Sequence, residues 1–160
     1  MLVKKEAMYP KQQASQLRQE FWTAFGRYMG PVLSAEGEKV NWINYKTGEK
    51  HIHFRMDAEN RSASISIELT HSDKSVQQLY YEHFMQLRHV LDKELGEPWE
   101  WRMHIPDEHG RTVSRICKQL NDVSLFKKED WPALITFFKE RMIALDAFWS
   151  KVKYGFEALR

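Results

Sequence analysis

The amino-acid sequence predicts an α+β domain in which helices cover one face of a mostly antiparallel five-stranded sheet. Apolar residues recur every three or four positions in three long segments, which is the helical period. Short segments of alternating polar and apolar residues lie between them, in the order α-β-β-β-α-β-β-α. Strands that follow one another through short turns favour antiparallel pairing, and such a sheet often keeps one polar face.

Helical periodicity defines three segments. The first is expected over residues 12–29, and Gly30-Pro31 ends it because proline cannot continue the hydrogen-bond ladder. The second is expected over residues 76–95, after the capping pair Ser75 and Gln78. The third extends from Asp130 almost to the C-terminus with an apolar a/d seam, on which a second copy of the chain could pair as a homodimer.

Five shorter segments have the alternation, or the β-branched and aromatic composition, of strands. Turn-forming residues such as Thr47-Gly48 separate them. The expected strands are 40–45, 51–56, 62–70, 99–105 and 111–118. Residues 1–11 show no period and are expected to be a flexible lead-in to a single domain over residues 12–160.

Composition excludes several classes of protein. The 24 Lys and Arg residues and 22 Asp and Glu residues give a net charge of +2. This charge is far below the strongly positive charge of a protein that coats nucleic acid. A single cysteine, Cys117, excludes an intramolecular disulfide and a cysteine-rich zinc site. No apolar stretch has the length of a membrane span, and residues 1–19 lack the apolar region of a signal peptide. We therefore expect a cytoplasmic protein without membrane contacts.

One sheet face is expected to gather polar side chains. If residues 58–61 form the turn between the second and third strands, residues whose numbers sum to 119 face each other, and His51 lies opposite Glu68. Similar reasoning at the neighbouring turn and on the fourth strand adds further residues to this face. The expected binding residues are His51, His53, Arg55, Arg102 and Trp42, with His104 beside them.

Two interpretations of this face remain open. Histidine and arginine donate to phosphate or carboxylate groups, and a tryptophan is a platform on which a base can stack, so the set is typical of a binding surface for nucleic acid. An ordinary solvated outer face of an antiparallel sheet produces the same alternation.

The same register offers one pair of carboxylates for a metal. Glu49 is expected diagonal to Glu68, within about 8 Å, and two such carboxylates can hold Mg²⁺ for hydrolysis of a phosphodiester. The alternative is two exposed carboxylates, with Glu68 paired to His51. Glu49 and Glu68 are therefore the candidate catalytic and metal-ligating residues. Mg²⁺ is expected only under this enzymatic interpretation, and otherwise no metal or cofactor is expected.

Several aromatic-rich segments stand out along the chain. They are Leu17-Arg18-Gln19-Glu20-Phe21-Trp22, Asn41-Trp42-Ile43-Asn44-Tyr45, Ser66-Ile67-Glu68-Leu69-Thr70-His71, Trp99-Glu100-Trp101 and Glu129-Asp130-Trp131-Pro132. With these segments the chain resembles the bacterial domain-of-unknown-function family 4268 (DUF4268), over about residues 9–156. The resemblance implies a stand-alone bacterial copy of a domain that elsewhere follows nuclease-like domains. It thus suggests association with nucleic acid, in a defence or restriction context, and carries no established activity.

The order of helices and strands also resembles the core of the PD-(D/E)xK nucleases. Glu49 would match the first acidic position of that motif and Glu68-Leu69-Thr70 the second, with Thr70 in the place of the lysine. The resemblance therefore implies an inactive descendant more readily than an active nuclease. The sequence as a whole favours a non-catalytic binding or interaction module. A Mg²⁺-dependent phosphodiesterase and a purely structural partner subunit are the alternatives.

Overall fold

The computed structural model describes residues 10–160. In this part of the chain the α+β class is confirmed, with four strands in place of the predicted five. Of the expected lead-in over residues 1–11, residues 1–9 lie outside the described part. The elements are α1 (Lys11–Met29), β1 (Ile52–Ala58), β2 (Ser62–Leu69), α2 (Lys74–Gln86), α3 (Arg88–Leu95), β3 (Glu100–Pro106), β4 (Thr112–Asn121) and α4 (Trp131–Val152), and short 3₁₀ helices over Lys128–Asp130 and Lys153–Leu159 flank α4.

The four strands form one antiparallel sheet in the order β1-β2-β4-β3. β2 and β4 pair in its centre, although α2, α3 and β3 separate them in the sequence. This crossover places Glu68 directly opposite Arg115, which is 47 residues further along the chain. The polar residues at the centre of the sheet therefore come from segments that are distant in sequence.

The predicted strand over residues 40–45 is absent, because the backbone forms a turn there. The Asn41 side chain accepts hydrogen bonds from the backbone N–H groups two and three residues later, at 3.1 and 3.0 Å. Such local bonds offer the backbone an alternative to strand pairing. The Trp42 indole N–H donates to the Val32 carbonyl at 2.9 Å, and its side chain lies in the core.

The register of β1 and β2 differs from the predicted one by two residues. Paired residue numbers sum to 121, because the Glu59 N–H donates to the Ser62 carbonyl and moves the turn one residue further along. His53 therefore lies opposite Glu68, the place predicted for His51. A shift by two residues leaves every side chain on its predicted face, since neighbouring side chains along a strand alternate between faces.

The helices largely follow the predicted periodicity. The segment predicted over residues 12–29 is α1, whereas the one predicted over 76–95 divides at Leu87, where φ is −96° and ψ is 8°. α2 begins before the predicted start because the Asp73 carboxylate accepts the N–H groups of Ser75 and Val76 as an N-cap. Within residues 10–160, no helix combines the length and apolarity that a membrane span requires.

The core lies between the sheet and the helices, and α4 contributes a large part of it. Its seam residues Phe138, Met142, Leu145 and Trp149 are each at most 2% exposed. The Trp149 indole N–H donates to the Thr47 carbonyl at 2.8 Å inside this core. These four residues of the apolar seam are therefore covered by the chain itself, and the predicted homodimer stays a prediction.

Candidate functional site

The sheet face opposite the core carries two rows of polar side chains that cross all four strands. One row consists of Arg55, Ser66, Cys117 and Glu100, and the other of His53, Glu68, Arg115 and Arg102. These eight residues are called the polar face below. A cleft of about 220 Å³ lies over it, lined by residues of both rows and by Glu108 of the β3–β4 turn.

Glu68 is at the centre of the polar face and is only 3% exposed. Its carboxylate accepts from Arg55 Nη1 at 3.0 and 3.3 Å and from Arg115 Nε at 2.7 Å. A buried carboxylate needs such partners, because an unpaired charge inside a protein is costly. The buried Glu68 carboxylate therefore holds the guanidinium groups of Arg55 and Arg115 in fixed orientations. These two groups are called the arginine pair below.

The outer side of the arginine pair faces a second carboxylate. Arg55 Nη2 lies 3.5 Å from Glu108 Oε1, and Arg115 Nη2 lies 3.6 Å from Glu108 Oε2. The Glu108 side chain is 54% exposed, in contrast to Glu68. The Asp107 carboxylate fixes the turn backbone by accepting the N–H groups of His109 and Arg111, both at 2.8 Å.

The pKa values show how these groups are charged. Partial burial acts against the Arg55 cation, but the hydrogen bond and charge of Glu68 outweigh it and raise the pKa of Arg55. A hydrogen bond from its own backbone, followed by the charges of the arginine pair, holds the pKa of Glu108 below its ordinary value. Burial, aided by the charge of Glu100, raises the pKa of the Cys117 thiol. At neutral pH Arg55 and Glu108 are therefore charged and the Cys117 thiol is protonated.

Positive and negative charges are closely balanced around the cleft. Arg102, which is half exposed, donates from Nε and Nη2 to Glu100 Oε1 at 2.9 and 2.6 Å. Three arginines and four carboxylates line the cleft: Arg55, Arg102 and Arg115, with Asp57, Glu68, Glu100 and Glu108. Each arginine has at least one carboxylate partner, so the face is not a uniformly positive surface.

Four of the five expected binding residues lie on or beside the polar face. Arg55 and Arg102 line the cleft. The His53 ring is on the same face, but its Nε2 is 3.2 Å from the Thr70 hydroxyl and it does not line the cleft. His51 precedes β1, and its ring centroid lies 4.9 Å from that of His71, beyond the end of the cleft.

Trp42 and His104 lie elsewhere, contrary to the prediction. Trp42 is 3% exposed and packs against Tyr45 on the core side, so it gives the polar face no aromatic platform. His104 occupies an irregularity in the β3–β4 pairing with φ of 53°, and its Nε2 lies 3.1 Å from the Lys74 carbonyl. The bulge interrupts the alternation that placed His104 on the same face as Arg102.

The two candidate metal-ligating carboxylates have separate partners. Glu49 accepts from Arg160 Nε and Nη2 at 2.9 and 2.5 Å, and Glu68 accepts from the arginine pair. Glu49 lies before β1, which begins at Ile52, so the pairing of β1 with β2 does not extend to the position diagonal to Glu68 that was predicted for it. Among residues 10–160, no group of three or more His, Cys, Asp or Glu side chains is arranged to hold a metal ion.

Arg115 and Glu108 are two charged residues of the cleft that the sequence prediction missed. Arg115 joins the face only through the pairing of β2 with β4, which no local pattern indicates. Glu108 is in a turn, and alternation along a strand does not place a turn side chain. A pairing rule for charges could have suggested Arg115 as a partner for Glu68, since a buried carboxylate on a sheet needs a cation opposite.

Comparison with known proteins gives one match. A family model described as "Domain of unknown function (DUF4268)" matches residues 17–153. The chain belongs to this family. Searches among curated proteins and among solved structures found no significant match. Membership confirms the resemblance found in the sequence and assigns no activity to the DUF4268 domain, and the likeness to a nuclease core is not confirmed.

Proposed function

We propose that this DUF4268 domain is a non-catalytic binding module that recognises an anionic group with the arginine pair on its polar face. One observation carries the proposal. The buried Glu68 holds Arg55 and Arg115 so that an Nη2 atom of each lies within 3.6 Å of one exposed carboxylate group. Two cations therefore converge on a single position at the mouth of the cleft.

The arrangement favours binding because its donors are already oriented. An arginine that binds an anion from a mobile state loses side-chain entropy, whereas a fixed guanidinium group loses less. Glu68 fixes both guanidinium groups from the buried side of the sheet face. Their Nη2 atoms do not bind Glu68, so the N–H groups of these atoms can donate to a ligand. A planar guanidinium group also matches the two oxygens of a carboxylate or phosphate.

The same geometry supports binding over catalysis. Both oxygens of Glu68 accept hydrogen bonds from arginine, which leaves this carboxylate poorly placed to act as a base or a metal ligand. The raised pKa of Cys117 keeps its thiol protonated, and the thiolate is the reactive form of cysteine. These observations support binding over the phosphodiesterase that the sequence left as an alternative.

The charge balance favours one anionic group over a long nucleic-acid strand. A groove for nucleic acid presents an excess of cations along its length and aromatic rings for stacking. The cleft has four carboxylates against three arginines, and Trp42 lies in the core. Nucleic-acid association, which the sequence suggested, remains an outcome that the experiment below separates from recognition of a single anion.

The proposal is tested by titrating the ¹⁵N-labelled protein at low salt with inorganic phosphate, sodium acetate and a 12-nucleotide DNA. We expect the small anions to shift the arginine side-chain and backbone signals of Arg55 and Arg115. Arg115→Lys should weaken this binding because lysine can pair with Glu68 but has no second nitrogen for the ligand. Arg111→Lys, in the adjacent turn, is the matched control and should have no effect.

Two results would contradict the proposal. The first is that no anion shifts the signals of the polar face. The second is binding to which Arg115→Lys and Arg111→Lys make no difference, which would place any site elsewhere. Salt-dependent binding of the DNA alone, without a response to the small anions, would replace recognition of a single anion with nucleic-acid binding.

A further inference from the structure

The arginine pair already holds a carboxylate that belongs to the chain itself. Glu108 places one oxygen near each arginine, with separations of 3.5 and 3.6 Å. We propose that the natural ligand of the arginine pair is an aspartate or glutamate side chain of a partner polypeptide. This side chain displaces Glu108 from the arginine pair. This inference rests on the proposed function and names the class of ligand.

The Glu108 contacts describe the shape of the group that the site accepts. A planar two-oxygen group bridges two guanidinium groups, one oxygen to each. Glu68 lies beneath this position, and Asp57 and Glu100 line the same cleft. A phosphate monoester carries about −1.5 to −2 charge at neutral pH and would be repelled by these three carboxylates more strongly than a singly charged carboxylate.

The size and lining of the cleft favour a side chain of a polypeptide over a free small molecule. Sites for small molecules usually enclose about 300–1,000 Å³, whereas this cleft measures about 220 Å³. Its remaining walls include Ser64, Ser66 and Gln119. These uncharged side chains can donate to and accept from peptide N–H and C=O groups on either side of an acidic residue.

Glu108 is placed so that it can leave without disturbing the fold. Its contacts to the arginine pair are longer than the 2.7–2.9 Å typical of charge-assisted bonds, and its side chain is half exposed. The Asp107 carboxylate accepts the N–H groups of His109 and Arg111 and so holds the turn, whereas the Glu108 carboxylate accepts there from its own backbone. Displacement of Glu108 therefore needs only rotation of its side chain. The observed affinity for a ligand is then the intrinsic affinity multiplied by the fraction of molecules in which Glu108 has left the site.

The test compares Glu108→Gln with Glu100→Gln. Both substitutions remove one exposed carboxylate that lines the cleft, but only Glu108 contacts the arginine pair. The probe is the capped peptide acetyl-Gly-Ser-Glu-Ser-Gly-amide, titrated at low salt and followed by the arginine side-chain NMR signals. Matched peptides with glutamine or phosphoserine in place of the glutamate complete the set, and thermal unfolding verifies that each variant is folded.

We expect the glutamate peptide to bind Glu108→Gln about three- to tenfold more tightly than the wild-type protein. This range corresponds to the free energy of the one or two exposed ion pairs that the ligand must otherwise break. Glu100→Gln removes the same charge from the cleft but leaves Glu108 on the arginine pair, because its own partner is Arg102, so it should raise this affinity by less than Glu108→Gln does. The glutamine peptide should not bind detectably to either variant. The phosphoserine peptide should bind no more tightly than the glutamate peptide.

The possible failures are distinguishable. If Glu108→Gln and Glu100→Gln produce equal gains, Glu108 is not a competitor, and the displacement is wrong while the proposed function stands. If the phosphoserine peptide binds more tightly, the site recognises phosphate and the carboxylate assignment is wrong. If no peptide and no small anion binds any variant, both the inference and the proposed function fail.

Discussion

Arg115 donates from Nε to the buried Glu68 carboxylate at 2.7 Å, across the central pairing of β2 and β4. The two residues are 47 positions apart in the sequence. Their ion pair connects the first hairpin of the sheet to the second and also orients the arginine pair. One contact therefore contributes both to the stability of the fold and to the geometry of the candidate site.

Arg115→Leu should destabilise the protein. Glu68 would then depend on Arg55 alone, and loss of one partner of a buried charged group costs about 1–3 kcal/mol in the free energy of unfolding. Denaturant unfolding monitored by tryptophan fluorescence measures this change. Replacing both Glu68 and Arg115 by leucine should recover most of the loss, because no buried carboxylate then lacks a partner.

The control for this substitution is Arg111→Leu, whose side chain is 75% exposed in the adjacent turn. Its effect on the free energy of unfolding should stay within about 0.5 kcal/mol, as is usual for surface positions. Equal effects of Arg115→Leu and Arg111→Leu would mean that Glu68 does not depend on its partner across the sheet.

Asp146→Ala should loosen the segment between α1 and β1. The buried Asp146 of α4 accepts from the Tyr45 hydroxyl at 2.6 Å and from the Ala35 N–H at 2.7 Å, so it fixes that segment at two points. Removal of an acceptor from buried donors costs about 1–3 kcal/mol, and hydrogen exchange of the Ala35 amide should become faster.

Tyr45→Phe is the matched comparison, because it removes one of these two hydrogen bonds and leaves the other. Its cost should be smaller than that of Asp146→Ala. The double variant should be less destabilised than the sum of the single variants, which is the signature of residues in contact. Strict additivity would show that the two side chains do not interact.

The sequence predicts the helices and most strands because their signals are local. The stripe of Phe21 and Phe25 has the helical period, and the alternation over residues 62–70 has the strand period. Residues 40–45 have the composition of a strand, but Asn41 forms a local turn that this composition does not reveal. The missing fifth strand therefore results from one side chain that competes with the sheet for backbone hydrogen bonds.

The candidate site is predicted only in part, for a related reason. Arg55 is identified because a shift of register by two residues does not change its face. Arg115 is missed because its position depends on which strands are neighbours, and this follows from packing of the whole chain. Trp42 is assigned to the wrong side, since an indole buried in the core and one exposed on a binding surface have the same local sequence signal.

Cys117 should react slowly with alkylating agents. Its pKa is raised by burial and by the charge of Glu100, so little thiolate is present near neutral pH. We expect the rate of reaction with iodoacetamide at pH 8 to be at least about tenfold below that of glutathione, and to rise in urea. Glu100→Gln should increase the rate modestly. A rate in the folded protein equal to that in urea would contradict this expectation.

His71 should make the protein less stable as the pH falls below about 6.5. Burial, followed by the charges of His51 and His53, lowers the pKa of His71 from 6.5 to about 4 in the folded state. The unfolded chain therefore binds the proton first as the solution is acidified, and the free energy of unfolding decreases. This stability contribution is complete above pH 6.5 and is lost as the pH approaches 4.

Between pH 7.5 and 5 the free energy of unfolding should decrease by about 1–2 kcal/mol, after allowance for partial solvent screening of His71. His71→Phe should reduce it, because phenylalanine keeps the ring contact with Tyr80, whose centroid is 4.2 Å away, and cannot be protonated. His109→Phe, in the exposed β3–β4 turn, is the matched control and should leave the pH dependence unchanged. The measurement is denaturant unfolding at several pH values. Parallel curves for the wild-type protein and His71→Phe would show that His71 does not titrate as its surroundings require.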